Sequence, residues 1–242
     1  MFTERLIKLL REDPKICVLT GAGVSAESGV PTFRGTDGIW KKFRAEELAT
    51  VDAFMRNPEL VLAWYQHRRD IIDNIEPNQG HYALARMENH FSDFQLVTQN
   101  VDNLHRRAGS ENILEVHGNI LKNKCFKCSK KIDRVDFKEG DDLPLCECGG
   151  QVRPDVVWFG EMLPEDVFEK ALQKSASADL FFCVGTSAIV YPAAGLPFSA
   201  KRNGAYLVEI NLQHTDLSPS ADEVLLGPSG EILPKLLETA GI

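Results

Sequence analysis

The sequence predicts an α/β fold: a parallel sheet with helices on both faces, joined by a smaller domain built from two insertions. Three observations carry that reading. Five short apolar runs each stop at a polar or glycine tip, segments of helical period lie between them, and two stretches break the alternation. Short apolar runs bounded by turn residues suit strands buried on both faces, the condition of a parallel sheet. Alternation with helices then puts the ligand beyond the carboxyl ends of the strands, where the polar tips converge.

In chain order, Phe2, Leu6, Leu9 and Leu10 stripe a first helix, and Ile16-Cys17-Val18-Leu19 is a strand ending in Thr20-Gly21-Ala22-Gly23. Residues 41–77 read as helical throughout, with Asn57 as an N-cap and Pro58 in the first turn. Phe94-Gln95-Leu96-Val97 ends in Thr98-Gln99-Asn100, and Ile113-Leu114-Glu115-Val116 ends in His117-Gly118. Residues from about 121 to 150 carry four cysteines and little apolar periodicity. Pro164 opens a helix striped by Val167, Phe168, Ala171 and Leu172. Leu180 to Ala200 holds no charge, yet Gly185, Thr186, Ser187, Pro192, Gly195 and Pro197 interrupt it. A buried strand, a polar turn and a short helix fit that stretch better than a bilayer span. Tyr206-Leu207-Val208-Glu209-Ile210 ends in Asn211, and Ile232, Leu233, Leu236 and Leu237 stripe a last helix. The larger domain then comprises residues 1–40, 78–120 and 155–242, and residues 41–77 and 121–154 form the smaller one.

At 242 residues with 43% hydrophobic side chains, the chain can fill an ordinary core, which excludes disorder. Its 27 Lys and Arg against 35 Asp and Glu leave a net charge of −8, which repels a phosphate backbone. Lys122, Lys124, Lys127, Lys130 and Lys131 are offset by Asp133, Asp136, Glu139, Asp141 and Asp142, so no direct nucleic-acid binding is expected. Glu4, Arg5, Lys8, Arg11 and Glu12 interrupt the N-terminal apolar residues, unlike a secretory signal, so a cytoplasmic protein without membrane attachment is expected. The oligomeric state stays open, a monomer being compatible with the sequence.

Gly21-Ala22-Gly23-Val24-Ser25-Ala26 fits the G-x-G-x-x-G/A pattern directly after a strand, where glycines let backbone approach a pyrophosphate. No second strand ending in an acidic residue follows about 20 residues on, as a dinucleotide dehydrogenase requires. A long loop, Ser28-Gly29-Val30-Pro31-Thr32-Phe33-Arg34, takes its place. Of six histidines, His117 alone ends a predicted strand and precedes a glycine; its ordinary pKa near 6.5 suits a general base. His67, His81, His90, His105 and His214 read as surface or capping residues. Cys17 and Cys183 lie in apolar runs as small buried hydrophobes. Cys125-Phe126-Lys127-Cys128 and Cys146-Glu147-Cys148 resemble a four-thiolate structural zinc site, although the second pair has one intervening residue rather than two; a redox pair or four free thiols are the alternatives. Tyr65 and Arg68 stand three apart and share one helix face, a pair able to clamp a carboxylate or simply to line an amphipathic helix.

The run from Gly21 to Arg34 resembles the signature of the sirtuins, NAD-dependent protein-lysine deacylases with a Rossmann-like large domain. Thr98-Gln99-Asn100-Val101-Asp102-Asn103-Leu104-His105, Glu115-Val116-His117-Gly118, Val157-Trp158-Phe159-Gly160-Glu161, Gly185-Thr186-Ser187 and Val208-Glu209-Ile210-Asn211 are similar to further motifs of that family, in its order. The resemblance implies NAD as co-substrate, held by Gly21, Ala22, Gly23, Ser25, Phe33, Arg34, Trp40, Gln99, Asn100, Val101 and Asp102. On the adenosine side it implies Gly185, Thr186, Ser187, Asn211, Leu212, Gln213 and Ser229. It implies His117 as the catalytic base and acylated lysine side chains of proteins as substrates. These would lie along Val157, Phe159, Gly160 and Val190, with Phe159-Gly160 and Val190-Tyr191 flanking the peptide as strands. Cys125, Cys128, Cys146 and Cys148 would hold one zinc ion. Tyr65-x-x-Arg68 resembles the pair with which class III members of the family recognise succinyl-, malonyl- or glutaryl-lysine. A mono-ADP-ribosyltransferase on the same site and a non-enzymatic zinc-ribbon module are the rival readings.

Overall fold

The computed structural model describes residues 2–31 and 45–242. Helix α1 (Glu4–Arg11) leads into β1 (Ile16–Thr20) and the short α2 (Ala22–Ala26). The first insertion holds α3 (Ala45–Leu48), α4 (Val51–Arg56) and α5 (Pro58–Asp73). Next come α6 (Gln79–His90), β2 (Phe94–Thr98), α7 (Leu104–Arg107) and β3 (Ile113–Glu115). The second insertion holds β4 (Gly118–Cys125), β5 (Lys131–Ile132) and β6 (Val152–Val156). The chain closes with α8 (Glu165–Ser177), β7 (Leu180–Val184), α9 (Leu196–Arg202), β8 (Tyr206–Asn211), β9 (Glu223–Leu226) and α10 (Ser229–Ala240).

Six strands form one parallel sheet in the order β3-β2-β1-β7-β8-β9. Chain order runs outward from β1 on one side and outward from β7 on the other. The carboxyl ends of β1 and β7 therefore flank the crevice expected of an open doubly wound sheet. Every residue of β1, β2 and β7 is buried, because helices cover both faces. Val18, Leu96, Phe182 and Val208 pack against α1, α6 and α10 on one face; Cys17, Leu19, Phe181 and Leu207 pack against α8 and α9 on the other. Sequence periodicity found α1, α8 and α10 and five of the six strands of the sheet. Missing from that reading is the edge strand β9, whose four residues begin with Glu223, an acceptor for the Thr3 backbone N–H and hydroxyl at 3.0 and 2.6 Å.

The cysteine-bearing segment is a three-stranded antiparallel sheet, β5-β4-β6, running from Gly118 to Val156. Its strands escaped the apolar pattern for a physical reason. β6 reads Val-Arg-Pro-Asp-Val and is buried at all five positions, with polar groups satisfied by side-chain partners rather than replaced by hydrocarbon. β4 is interrupted by a bulge between Asn119 and Asn123. The two insertions share one core, in which Phe54, Val61, Leu62, Trp64 and Tyr65 meet Ile120, Val156 and Trp158. Asn57 caps α5 by accepting from the Leu60 N–H at 3.0 Å, with Pro58 in its first turn, as the sequence indicates.

Arg69 fastens the insertions to each other. The residue is 2% exposed, and its guanidinium donates to Ile120 O at 2.8 Å, Val135 O at 2.6 Å and Asn123 Oδ1 at 3.0 Å. A buried guanidinium is tolerable only where its donors are met, and here Asp136 stands 3.7 Å away as a counter-charge.

Candidate active site

Turns at the carboxyl ends of β1, β2 and β7 lock together through backbone. Gly23 N donates to Gly185 O at 2.7 Å and Gly21 N to Val184 O at 3.0 Å. A Cβ on Gly23 would stand 2.7 Å from Gly185 Cα, and one on Gly185, whose φ is +61°, 2.5 Å from Val24 N. The fingerprint glycines thus let two loops of the protein touch each other, a packing demand the sequence reading assigned to a pyrophosphate alone. Phe33, Arg34 and Trp40 lie outside the described residues.

Behind this junction sits a buried polar cluster. Asn100 Nδ2 donates to Gly21 O at 3.0 Å and Ser25 Oγ at 3.1 Å. Asp102 accepts from Leu104 N at 3.0 Å; burial raises its pKa, opposed by that N–H, the Ser25 hydroxyl and the Arg68 charge. Gln99 Nε2 donates to Thr186 Oγ1 at 3.0 Å, and Asn211 Nδ2 to Thr186 O at 2.9 Å, so β2, β7 and β8 meet at one threonine. Ala22 follows the first glycine in α2, and Val101 faces the core of the insertions while its carbonyl accepts from Ile120 N. Ser187 follows Thr186 at the tip of β7, and Leu212 and Gln213 follow β8 as exposed loop residues. Ser229 is buried at the start of α10, its hydroxyl donating to Glu27 Oε1 at 2.7 Å.

His81 and His105 correct the sequence reading, which gave them surface or capping roles. His81 does cap α6, accepting from Asn78 N at 3.2 Å, but both rings are buried beneath the cluster. His81 Nε2 lies 3.3 Å from Ser25 Oγ, His105 Nε2 lies 2.9 Å from Thr20 Oγ1, and the ring centroids are 4.8 Å apart. Burial lowers His81 to about 4 and His105 well below its ordinary value. For His81 the helical spacing to Leu84 and Ala85 is a local signal of an inward face, whereas α7 is a single turn and offers none for His105.

His117 follows β3 in the turn before Gly118. Its Nδ1 stands 3.1 Å from Gln99 O, and a carbonyl only accepts, so Nδ1 carries the proton and Nε2 keeps a lone pair. Burial lowers its pKa, partly offset by the Gln99 carbonyl, so the ring is neutral at pH 7. Gly118 has φ +81°, and a Cβ there would fall 2.1 Å from Asp155 O. Glycine at 118 therefore lets the chain turn from His117 directly into β4.

Val157 N donates to His117 O at 2.9 Å, tying the next segment to the histidine. Phe159 and Gly160, expected as strand, form instead one parallel bridge, Thr50 to Phe159, followed by a turn with Gly160 at φ +88°. Val190 and Tyr191 are likewise outside any strand, in an irregular segment before the turn of 3₁₀ helix at Ala193–Gly195. Phe159, Val190 and Tyr191 are exposed apolar residues in these segments.

On α5, Tyr65 is buried and accepts from Trp158 Nε1 at 2.9 Å. Arg68 lies with its guanidinium carbon 5.2 Å from the centre of the Trp64 ring. Burial draws the Arg68 pKa down, while the nearby Tyr65 and Asp102 side chains oppose that.

Cys125, Cys128, Cys146 and Cys148 bring their four Sγ atoms within 4.8 Å of one another. Measured pairs are 3.5 Å for Cys125–Cys148 and Cys128–Cys148, and 3.9 Å for Cys128–Cys146. Tetrahedral zinc at about 2.3 Å from each thiolate separates sulfurs by about 3.8 Å, so the cluster fits that ion. A disulfide needs about 2.05 Å, and all four cysteines are free. The shortened second pair works because Gly149 takes φ +76° and Gly150 packs where a Cβ would lie 2.7 Å from Cys125 Sγ.

Sheet order, crevice, histidine and thiolate cluster define a doubly wound α/β protein with a metal-type small module set across its ligand edge. Residues 21–192 match the Sir2 family. An NAD-dependent protein deacylase of Aquifex aeolicus (strain VF5) is 52% identical over 212 residues, 87% of this chain and 89% of that protein. A solved Sir2 homologue–NAD complex superposes with a TM-score of 0.94 at 44% identity, covering 100% of this chain and 94% of the other. A Sir2 structure bound to acetylated peptide gives 0.89 at 34% identity with full coverage of both chains. The chain belongs to the Sir2 family.

Proposed function

We infer that the protein is an NAD-dependent protein-lysine deacylase that removes succinyl and malonyl as well as acetyl groups from lysine. Relatives named NAD-dependent protein deacylase support the general activity, and the Tyr65–Arg68 pair supports the acidic acyl range. One observation carries the mechanism: His117 is held as a neutral base with Nδ1 committed to Gln99 O.

Bound NAD supplies an anomeric ribose carbon that can lose nicotinamide and take the acyl oxygen of the substrate. The residues present suit it: polar tips of β1, β2, β7 and β8 converge, and Ser25, Asn100 and Asp102 offer buried donors and acceptors to a ribose or carboxamide. His117 Nε2 accepts a proton from a ribose hydroxyl, and the backbone bond at Nδ1 stabilises the resulting imidazolium. Val157, Phe159, Gly160 and Val190 bind the peptide main chain and exclude water around the lysine. Tyr65 and Arg68 meet the distal carboxylate of a succinyl group. The four thiolates would hold a zinc ion with every position filled by protein, which makes the site a structural one.

The test is nicotinamide release from adenylate-labelled NAD with one peptide bearing acetyl-, succinyl- or no acyl-lysine. Release that requires the acyl group, with label leaving as acyl-ADP-ribose, is the expected result. Label remaining on protein means an ADP-ribosyltransferase instead.

A further inference from the structure

We propose that Trp158 is a positioning residue for acyl recognition: its indole N–H fills the acceptor side of the Tyr65 hydroxyl and commits the phenol proton to the acyl pocket. The inference rests on the desuccinylase reading above and names a residue that acts through Tyr65 rather than on substrate.

An indole nitrogen can only donate, so the 2.9 Å contact from Trp158 Nε1 makes the Tyr65 oxygen the acceptor. A phenol has one proton, and that proton cannot point back at an N–H. Trp158 is 1% exposed and Tyr65 4%, so bulk water does not compete at either group. Burial also pushes the phenol up to about 12, which keeps the proton in place at any physiological pH.

Trp158 is itself clamped. The Arg153 guanidinium carbon lies 3.2 Å from its ring centroid, and the Phe54 ring packs at 5.2 Å. Trp158 N donates to Glu161 Oε2 at 2.8 Å, while Glu161 pairs with Arg153 at 2.5 and 3.0 Å. A cation over the indole face draws electron density from the ring and strengthens the N–H as a donor. A carboxylate-tipped acyl group therefore meets a neutral donor oriented in advance, beside the Arg68 charge. An acetyl group has no distal carboxylate for that donor to bind.

The experiment is a double-mutant cycle on the ratio of succinyl to acetyl kcat/KM, using Trp158→Phe, Tyr65→Phe and the pair, with Arg68→Met as a control. Trp158→Phe keeps an aromatic ring and deletes the donor. It should lower the ratio roughly two- to tenfold, the span of one neutral hydrogen bond. In the Tyr65→Phe background the same change should leave the ratio within about twofold, the usual tolerance for additivity. A role in packing alone predicts equal effects in both backgrounds, or none on the ratio; either result overturns the inference while Tyr65→Phe and Arg68→Met still lower it. If those two variants leave the ratio unchanged, the desuccinylase reading falls and this inference with it. Should Trp158→Phe fail to fold, benzothienylalanine at 158 keeps the bicyclic ring, replaces N–H with sulfur, and runs through the same cycle.

Discussion

His117 owes its chemistry to a bond it makes with backbone, not to a carboxylate partner. The Gln99 carbonyl fixes the tautomer, and burial holds the pKa below its ordinary value. The base thus stays unprotonated to lower pH than a free histidine does. The acidic limb of kcat/KM should fall below pH 6.5, the free-histidine value, when rates are followed from pH 5 to 8. His117→Ala should abolish turnover while NAD binding by calorimetry and the far-UV spectrum persist; near-normal turnover by the folded variant removes His117 from the mechanism. On α5, Arg68→Met keeps side-chain length and deletes the donors. Succinyl-lysine should lose roughly ten- to a hundredfold in kcat/KM, the worth of one charge-assisted contact, with acetyl-lysine much less affected. Equal slowing of both substrates would assign the arginine to structure.

Elements hold these residues in register through a few demanding positions. Gly118 is one: φ +81° and the closeness of Asp155 O leave no room for a methyl group. Gly118→Ala should cost about 1–3 kcal/mol, typical of local backbone strain, and displace His117 together with the β4–β6 pair. A thermal melt unchanged from the parent would contradict that. The zinc module is held to α5 by Arg69, so chelation or Cys125→Ser should unfold the small sheet and lower activity although no thiolate touches substrate. Elemental analysis should find about one zinc per chain, as four thiolates require. Much of this was legible in sequence: strand tips, the helix starts at Pro58 and Pro164, His117 before its glycine and the cysteine spacing all carry local signals. What escaped did so because tertiary partners replaced the local pattern. Arg153, Asp155 and Arg69 are buried charges whose partners lie elsewhere in the chain, and β6 has no apolar alternation for that reason. His81 and His105 looked like surface residues because nothing in their immediate neighbours announces a buried pair.

Across the whole molecule, those two neutral histidines make stability sensitive to acid. A buried histidine at about 4 against 6.5 when unfolded binds fewer protons in the native state between those values. Its contribution is therefore complete above pH 6.5 and is lost as pH falls toward 4, by about 3 kcal/mol for His81 at 1.36 kcal/mol per unit. Urea midpoints measured from pH 7 to 4 should fall steeply, and His81→Gln should flatten the slope; a parallel profile in the variant would assign acid sensitivity to other groups. The strand order has a consequence for the cell as well. β1 pairs with β7, so Ile16–Thr20 meets Leu180–Val184 only after roughly 160 more residues have been made. At about 5–20 residues per second a ribosome needs on the order of 10–30 s for that span. Throughout that interval one edge of β1, apolar at four of its five positions, lacks its native neighbour while β2 and the cysteine module are added to the nascent chain. Synthesis of this protein therefore includes a long window in which the β7-facing edge of β1 stays unpaired, a template open to any other strand.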